Sequence, residues 1–319
     1  MRPMRRPSAV LPAAALCAAL CLPAAAGERD EARDSGAHHF GVIGHSFDVK
    51  SDKRFRKALA DTADKTNAFV VLTGIKHAQE SCGDRVYEAR RDLVERVKRP
   101  VIVLPAGSDW TACRNSAGRT NAVERLNRLR ELFHGEPASL GVKKLPLTRL
   151  SMSPRFRAYA ENAHWTVGKV LYASVNLPAN NNHYLAAAGR NSEYEDRQVA
   201  TRFWLNRLFT LARGDKLDAI VLFSEGDLKP LTEPAPRGLL QRGPATFDGF
   251  AATRKQVQLL AKKFDGKVLL VDSGALGKGK RPEIEWKGNL GHLSVDEQAV
   301  EVEVKPGSKG LFAVKDAAD

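Results

Sequence analysis

The stretch from residue 69 to residue 113 constrains the fold more than any other, because it places a helix between two buried strands. Residues 69–72 and 101–104 are short, continuous apolar runs rich in β-branched residues, which are typical of parallel strands covered on both faces. Between them, residues 84–98 carry apolar side chains at helical spacing. This order predicts a right-handed crossover, which puts the loops after both strands at one edge of the sheet.

The rest of the chain alternates strands and helices in the same way. Alternating Val300, Val302 and Val304 predict an antiparallel strand near the end, and Phe203 is expected to be buried in a long helix. We therefore predict an α/β fold in which helices flank two mixed sheets. Strands are predicted at residues 40–43, 165–175 (a pair joined at Gly168), 219–223 and 268–271, and helices at residues 49–65, 120–133, 192–212 and 247–264.

The first 26 residues have the composition of a secretory signal peptide. Three arginines among the first six residues precede an Ala/Leu-rich segment, and an Ala-x-Ala cleavage site ends at Ala26. The segment is too short and too rich in alanine for a stable membrane span. We expect Sec-dependent export and a mature chain without a transmembrane segment, located in the periplasm or secreted.

The remaining chain is expected to form one domain. Residues 27–38 are charged and contain Gly and Ser, which predicts a flexible leader. Residues 39–319, in a chain with 43% hydrophobic residues, are long enough to bury a full core.

Several phrases resemble a known family. The segments TGIKHAQESCGD, LPAGSDWTAC, RLNRLRELF, ENAHW and NLPANNNHY occur in this order. They resemble an exported bacterial branch of the calcineurin-like metallophosphoesterases, over residues 40–314. The resemblance implies the α/β/β/α sandwich of that family, with its functional site on the loops after the strands.

The same resemblance implies that the metal centre of the family has been lost. Active members hold two metal ions with Asp, Asn and His side chains on successive loops. Here His45 stands where the first Asp belongs, the Gly74 loop lacks its Asp, and Ser108 takes the Asn position. The strand at residues 268–271 runs into Asp272 without a histidine. We therefore expect no metal ligands of the usual set and no cofactor.

The polar residues that remain on these loops form a candidate degenerate pocket. We expect Asn180, Asn182 and Glu225 to lie near this pocket. Two interpretations of the pocket stay open. In one, it is a rebuilt site that binds one divalent metal ion through His45, Asp48 and His77; in the other, its residues are ordinary hydrogen-bonded loop residues. The pocket residues are His45, Asp48, His77, Ser108, Asp109, Asn181 and His183.

Two cysteines remain after the signal segment. Cys82 and Cys113 lie in the two loops at the same predicted sheet edge. In an oxidising compartment they are expected to form one disulfide, and two free buried thiols are the alternative.

The charge balance bears on possible partners. The formal charge falls from +13 to +10 when the three arginines of the signal segment are removed. This excess favours anionic ligands or an envelope surface. Basic residues alternate with acids on several helices, and no basic run is interleaved with aromatic residues, so we expect no nucleic-acid partner.

Three functional hypotheses follow. The first is an exported protein with the calcineurin-like phosphoesterase fold that is non-catalytic and binds another molecule. The second is a phosphoesterase with a rebuilt site of one metal or none. The third is a protein that binds polyanions or an envelope surface through its charge.

Overall fold

The structure is a computed structural model that describes residues 36–47, 51–63, 66–187, 189, 191–232, 247–308 and 310–315. The signal segment, most of the predicted leader and Asp48 lie outside the described residues. Six helices are found in the described part: α1 Lys53–Ala63, α2 Asp84–Glu95, α3 Gly107–Trp110, α4 Ala122–His134, α5 Ser192–Gly214 and α6 Ala251–Ala261.

The described strands form two mixed sheets. The first has the order β12-β11-β1-β2-β3, and the second has the order β4-β5-β6-β7-β8-β10-β9. The strands of the first sheet are β1 His38–Ile43, β2 Phe69–Thr73, β3 Val101–Leu104, β11 Ala299–Val304 and β12 Phe312–Lys315. Those of the second are β4 Thr148–Arg149, β5 Ala163–Val167, β6 Val170–Ser174, β7 Ala219–Phe223, β8 Lys267–Asp272, β9 Glu285–Lys287 and β10 Leu290–Ser294.

The predicted strand-helix-strand unit is confirmed. β2 and β3 are parallel, with Val71 opposite Ile102, and every residue of both strands is buried. Helix α2 ends at Glu95, three residues before the predicted end at residue 98. Pro100 lies shortly beyond, and the residue before a proline disfavours helical backbone, so the chain turns there into β3.

The main core lies between the two sheets and is rich in aromatic side chains. Phe40 and Phe69 of the first sheet stack at 5.4 Å, and both contact the ring of Tyr172 in the second sheet edge to face. Trp165 and Phe223 complete this cluster. Offset and edge-to-face pairs of this kind add about 0.5 to 1.5 kcal/mol each beyond the burial of their area.

Helices cover the outer face of each sheet. Phe55 of α1 and Leu126 of α4 pack with the outward residues of the first sheet, while Trp204 of α5 and Val257 of α6 pack against the second. The layers are therefore helix, sheet, sheet, helix, as the α/β prediction requires. In the described residues, no helix combines the length and the apolar character that crossing a membrane requires.

One predicted core residue is wrong. Phe203, expected to be buried in α5, is 39% exposed and lies against Phe156 at 4.8 Å between ring centroids. The inward face of α5 is formed instead by Trp204, Leu205 and Leu208, each no more than 1% exposed. In a helix of 23 residues, apolar side chains outnumber the positions that face the sheet.

The alternating valines near the end form the predicted antiparallel strand. β11 pairs with β1 on one side and with β12 on the other. Val302 and Val304 are fully buried between the sheets. On the opposite face, His39 of β1 contacts Glu301 and Glu303 through different ring nitrogens. The strict alternation of apolar and charged residues in this strand follows from its two unlike faces.

The predicted disulfide is present. Cys82 and Cys113 are bonded, with their Cα atoms 5.9 Å apart. Cys113 is 2% exposed and lies beside the hydroxyl of Tyr87. The bond joins the loop after β2 to the segment after β3, at the carboxyl ends of both strands.

Replacing both cysteines, as in Cys82→Ala with Cys113→Ala, should lower the free energy of unfolding by about 3 to 4 kcal/mol, because the bond closes a loop of 31 residues in the unfolded chain. Urea denaturation of the oxidised wild type and the double variant measures this difference. Wild-type protein with its disulfide kept reduced is the matched control, and it should unfold at the same urea concentration as the double variant. Equal midpoints for all three samples would show that the bond does not stabilise the protein.

Candidate functional site

The carboxyl ends of the parallel strands in the two sheets meet at one shared edge. The backbone N–H of Gly107, after β3, donates a 2.6 Å hydrogen bond to Glu225 Oε2, after β7. The side-chain amide of Asn180, after β6, donates to Thr111 Oγ1 at 3.2 Å. Loops from both sheets therefore lie in contact, at the kind of edge where α/β sheets bind ligands. We call this place the shared edge.

His45 and Ser108 contact each other at the shared edge. His45 Nε2 lies 2.8 Å from Ser108 Oγ and 3.1 Å from the carbonyl oxygen of Lys76. A carbonyl oxygen can only accept, so the tautomer with a proton on Nε2 donates to Lys76, whose carbonyl oxygen also accepts the Ser108 hydroxyl at 3.2 Å. Gly74, with φ of +73°, leaves room for the imidazole, since a Cβ there would lie 2.7 Å from His45 Cδ2. In that tautomer Nε2 has no lone pair available for a metal ion or for the proton of Ser108.

Asp109 is fully buried, and the backbone engages both oxygens of its carboxylate. Oδ1 accepts the N–H groups of Ile75 at 3.0 Å and Lys76 at 3.2 Å, and Oδ2 accepts the N–H of Ala106 at 2.8 Å. The carboxylate thus joins the loop after β2 to the loop after β3. Asp109 holds the edge together from inside and does not face solvent.

A buried cation accompanies Asp109. Lys76 is 0% exposed, and its ammonium donates to the carbonyl oxygens of His77 and Glu80. Burial raises the pKa of the Asp109 carboxyl, against the backbone N–H bonds that favour its ionised form. Burial likewise lowers the pKa of Lys76, against the attraction of Asp109 and Glu80. The carboxylate of Asp109 therefore attracts Lys76 electrostatically, while the ammonium itself donates to carbonyl oxygens.

Glu225 bridges the two sheets. Its Oε2 accepts the backbone N–H of Gly107 and, at 2.8 Å, that of Ala179 after β6. Burial raises the pKa of this carboxyl to about 7, although both backbone N–H bonds favour the ionised form. Its role in the structure is to join loops from β3, β6 and β7.

The asparagine run after β6 has a backbone conformation that side chains rarely adopt. Asn181, Asn182 and His183 all have φ between 53° and 55°. Consecutive left-handed residues other than glycine cost free energy and persist only where surrounding contacts hold them. Arg197 provides such contacts: it is fully buried and donates to Asn182 Oδ1 and to the Asn182 carbonyl oxygen.

Asn181 and His183 have separate surroundings within this run. Asn181 donates to the carbonyl oxygen of Phe247 and accepts the N–H of Gly249, so its amide is engaged by the backbone. His183 is 8% exposed and packs edge to face on Trp110 at 4.6 Å. Burial lowers the pKa of His183, so it is neutral at pH 7. These residues connect the second sheet to the disulfide-bonded loops.

The two remaining candidates are His77 and Asp48. His77 Nδ1 accepts the backbone N–H of Gln79, a local turn contact. Asp48 lies outside the described residues. The one-metal alternative built on His45, Asp48 and His77 therefore stays a prediction, with His77 directly after Lys76 in the loop that follows β2.

The structure adds a cluster that the sequence did not identify. Asp227, Asp272 and His292 each offer one potential ligand atom, and these atoms lie within 4.8 Å of one another. No histidine lies in the loop directly after β8, but His292 comes from β10, which pairs beside β8 in parallel. Residues 290–294, Leu-Gly-His-Leu-Ser, neither alternate nor form a continuous apolar run, so no strand was predicted there.

No family model matches this sequence, and no curated protein matches it.

Asp109→Asn should lower the free energy of unfolding by about 1 to 3 kcal/mol, because a carboxamide has only one acceptor oxygen, which leaves the N–H of Ala106 or those of Ile75 and Lys76 without an acceptor. The substitution also removes a charge that attracts Lys76. Urea denaturation at pH 7 measures the change. Asp92→Asn, at an exposed position of α2, is the matched control and should unfold like wild type.

A double variant tests the mechanism of this loss. Adding Lys76→Met to Asp109→Asn removes the stranded cation, so the double variant should be more stable than Asp109→Asn alone. If Asp109→Asn were as mild as Asp92→Asn, the buried pair would not stabilise the edge.

Proposed function

We propose that this chain is an exported, disulfide-bonded protein with a calcineurin-like phosphoesterase fold, without the dinuclear metal centre, that acts by binding another molecule. Two mixed sheets between helical layers support the fold. The segments that resemble the family contribute residues to the shared edge, among them Lys76, Asp109 and Asn180.

The loss of catalysis is inferred from the hydrogen bonds that the polar side chains make at the shared edge. Both oxygens of Asp109 accept backbone N–H groups. In the tautomer that donates to the Lys76 carbonyl oxygen, His45 Nε2 lacks the lone pair that a metal ligand or a general base requires. Binding two cations here would break the hydrogen bonds that join the loops.

Two features support export. The disulfide between Cys82 and Cys113 is of the kind that persists in oxidising compartments such as the periplasm. The N-terminal segment has the composition of a Sec signal ending near Ala26.

The charge of the chain supports an anionic partner. A formal charge of +13, or +10 without the signal arginines, attracts anionic ligands or an envelope surface over distances of about 10 Å at 0.1 M salt. Such binding should weaken as the salt concentration rises.

The purified protein should show no turnover of p-nitrophenyl phosphate or bis-p-nitrophenyl phosphate with Mn²⁺, because the described polar side chains of the shared edge are engaged in hydrogen bonds that join its loops. Release of p-nitrophenolate, compared with a blank without protein, measures this. His45→Ala is the matched variant, since it removes the imidazole at the first ligand position.

Two results separate the proposal from its competitor. Absorbance at the level of the blank for wild type and for His45→Ala supports a non-catalytic role. Metal-dependent hydrolysis by wild type that disappears in His45→Ala would establish a phosphoesterase with a rebuilt site and overturn the proposal.

A further inference from the structure

Asp227, Asp272 and His292 come from three neighbouring parallel elements of the second sheet. Asp272 is the last residue of β8, and His292 is the middle residue of β10. Asp227 lies four residues beyond the end of β7. Because parallel strands end at one edge, the fold brings together side chains that lie far apart in the sequence.

The sheet register places this cluster on the helix-covered face. Ser294 pairs with Asp272, and His292 lies two residues before Ser294, so these three residues share a face. Leu290 and Leu270 on that face belong to the core under α5 and α6. The residues that alternate with them, such as Leu293, point into the core between the sheets. The cluster therefore uses none of the residues of the candidate degenerate pocket.

The three potential ligand atoms lie close together. His292 Nε2 lies 2.7 Å from Asp272 Oδ2 and 3.3 Å from Asp227 Oδ1. Around an ion with bonds of about 2.1 Å, neighbouring ligand atoms lie about 3.0 Å apart in octahedral and about 3.4 Å apart in tetrahedral geometry. The two distances from His292 Nε2 are close to these values, and all three ligand atoms lie within 4.8 Å of one another, so small side-chain movements would let them surround an ion.

Other groups orient the most buried ligand. The side chain of Asp272 is 1% exposed, and its Oδ1 accepts Ser294 Oγ at 2.8 Å and the backbone N–H of Gly274 at 2.9 Å. These bonds direct Oδ2 toward His292. A Cβ at Gly274 would lie 2.9 Å from both Asp272 Oδ1 and Asp227 Cβ, so the close approach of this backbone requires glycine. Metal-binding side chains typically accept or donate a further hydrogen bond of this kind, which fixes their orientation.

The electrostatics also favour a cation. Two carboxylates, one of them on a side chain that is 1% exposed, lie beside a single imidazole, so a positive ion here would offset their negative charge. The side chain of Asp227 is 27% exposed and that of His292 is 15% exposed, so the cluster is open to solvent on one side. An ion could enter there, and water could complete its coordination.

We propose that Asp227, Asp272 and His292 bind one divalent first-row transition-metal ion, such as Zn²⁺, Mn²⁺ or Co²⁺. One imidazole nitrogen with two carboxylate oxygens suits these ions better than Ca²⁺ or Mg²⁺, which take all-oxygen ligand sets. The proposal does not depend on the function proposed above, because a single ion at this cluster leaves the hydrogen bonds of the shared edge in place.

Isothermal titration calorimetry of the full-length protein tests this, with any purification tag removed and the protein first treated with a chelator. Wild type should bind one Zn²⁺ or Mn²⁺ ion per chain. Loss of an outer contact to a metal ligand typically costs 10- to 100-fold in affinity, so His292→Ala, which removes a ligand itself, should bind at least about 100-fold more weakly. Visible absorption of the Co²⁺-loaded protein should be lost in the same variant.

His39→Ala is the matched control. His39 also contacts two carboxylates, Glu301 and Glu303, but through opposite ring nitrogens, so the contacts do not converge on one point. This variant should bind the ion as wild type does. Asp227→Asn, on a loop and partly exposed, should bind at least about tenfold more weakly, and it decides the question if circular dichroism shows that His292→Ala is misfolded.

Two outcomes would overturn the proposal. One is no saturable binding of any of the three ions by wild type, which would leave His292 as a protonated partner of two carboxylates. The other is binding that folded His292→Ala and Asp227→Asn both retain at wild-type strength. These measurements need no substrate, so they are independent of the phosphate-ester assay. Hydrolysis lost in His45→Ala would overturn the proposed function alone.

Discussion

The packing of aromatic side chains between the two sheets is the constraint on which the rest of the structure depends. Phe40 and Phe69 from one sheet pack against Tyr172 and Phe223 from the other, with Trp165 beside them. These rings hold the sheets face to face, so the carboxyl ends of their parallel strands lie side by side. The shared edge follows from this alignment, because loops from both sheets then lie within hydrogen-bond distance.

Polar groups at that edge mainly stabilise the loops. Asp109, Glu225 and Arg197 are all buried, and each connects segments that are far apart in the sequence. A buried carboxylate that accepts several backbone N–H groups stabilises a loop because those donors would otherwise lack partners. In Asp109 such bonds engage both oxygens of the carboxylate. A separate cluster lies on the helix-covered face of the second sheet and is partly open to solvent. It consists of Asp227, Asp272 and His292.

Much of the fold could be predicted because its strands and helices have strong local patterns. The continuous apolar runs of β2, β3, β7 and β8 identify strands buried on both faces, and the alternation in β11 identifies a strand with two unlike faces. Phe203 was placed wrongly because periodicity in a long helix does not say which apolar residues face the sheet. β10 was missed because its five residues carry neither pattern.

The sequence by itself determined the buried strands and helices, the two cysteines at one edge, and the polar loops that follow the strands, because each depends on residues close together in the chain. Only the tertiary structure decided what those polar residues do. His45 contacts the carbonyl oxygen of Lys76, which lies 31 residues further along the chain. Asp272 contacts His292, which lies 20 residues further along. Hydrogen bonds and metal ligands require distances near 3 Å, and the order of residues along a chain does not specify such distances before the sheets pack.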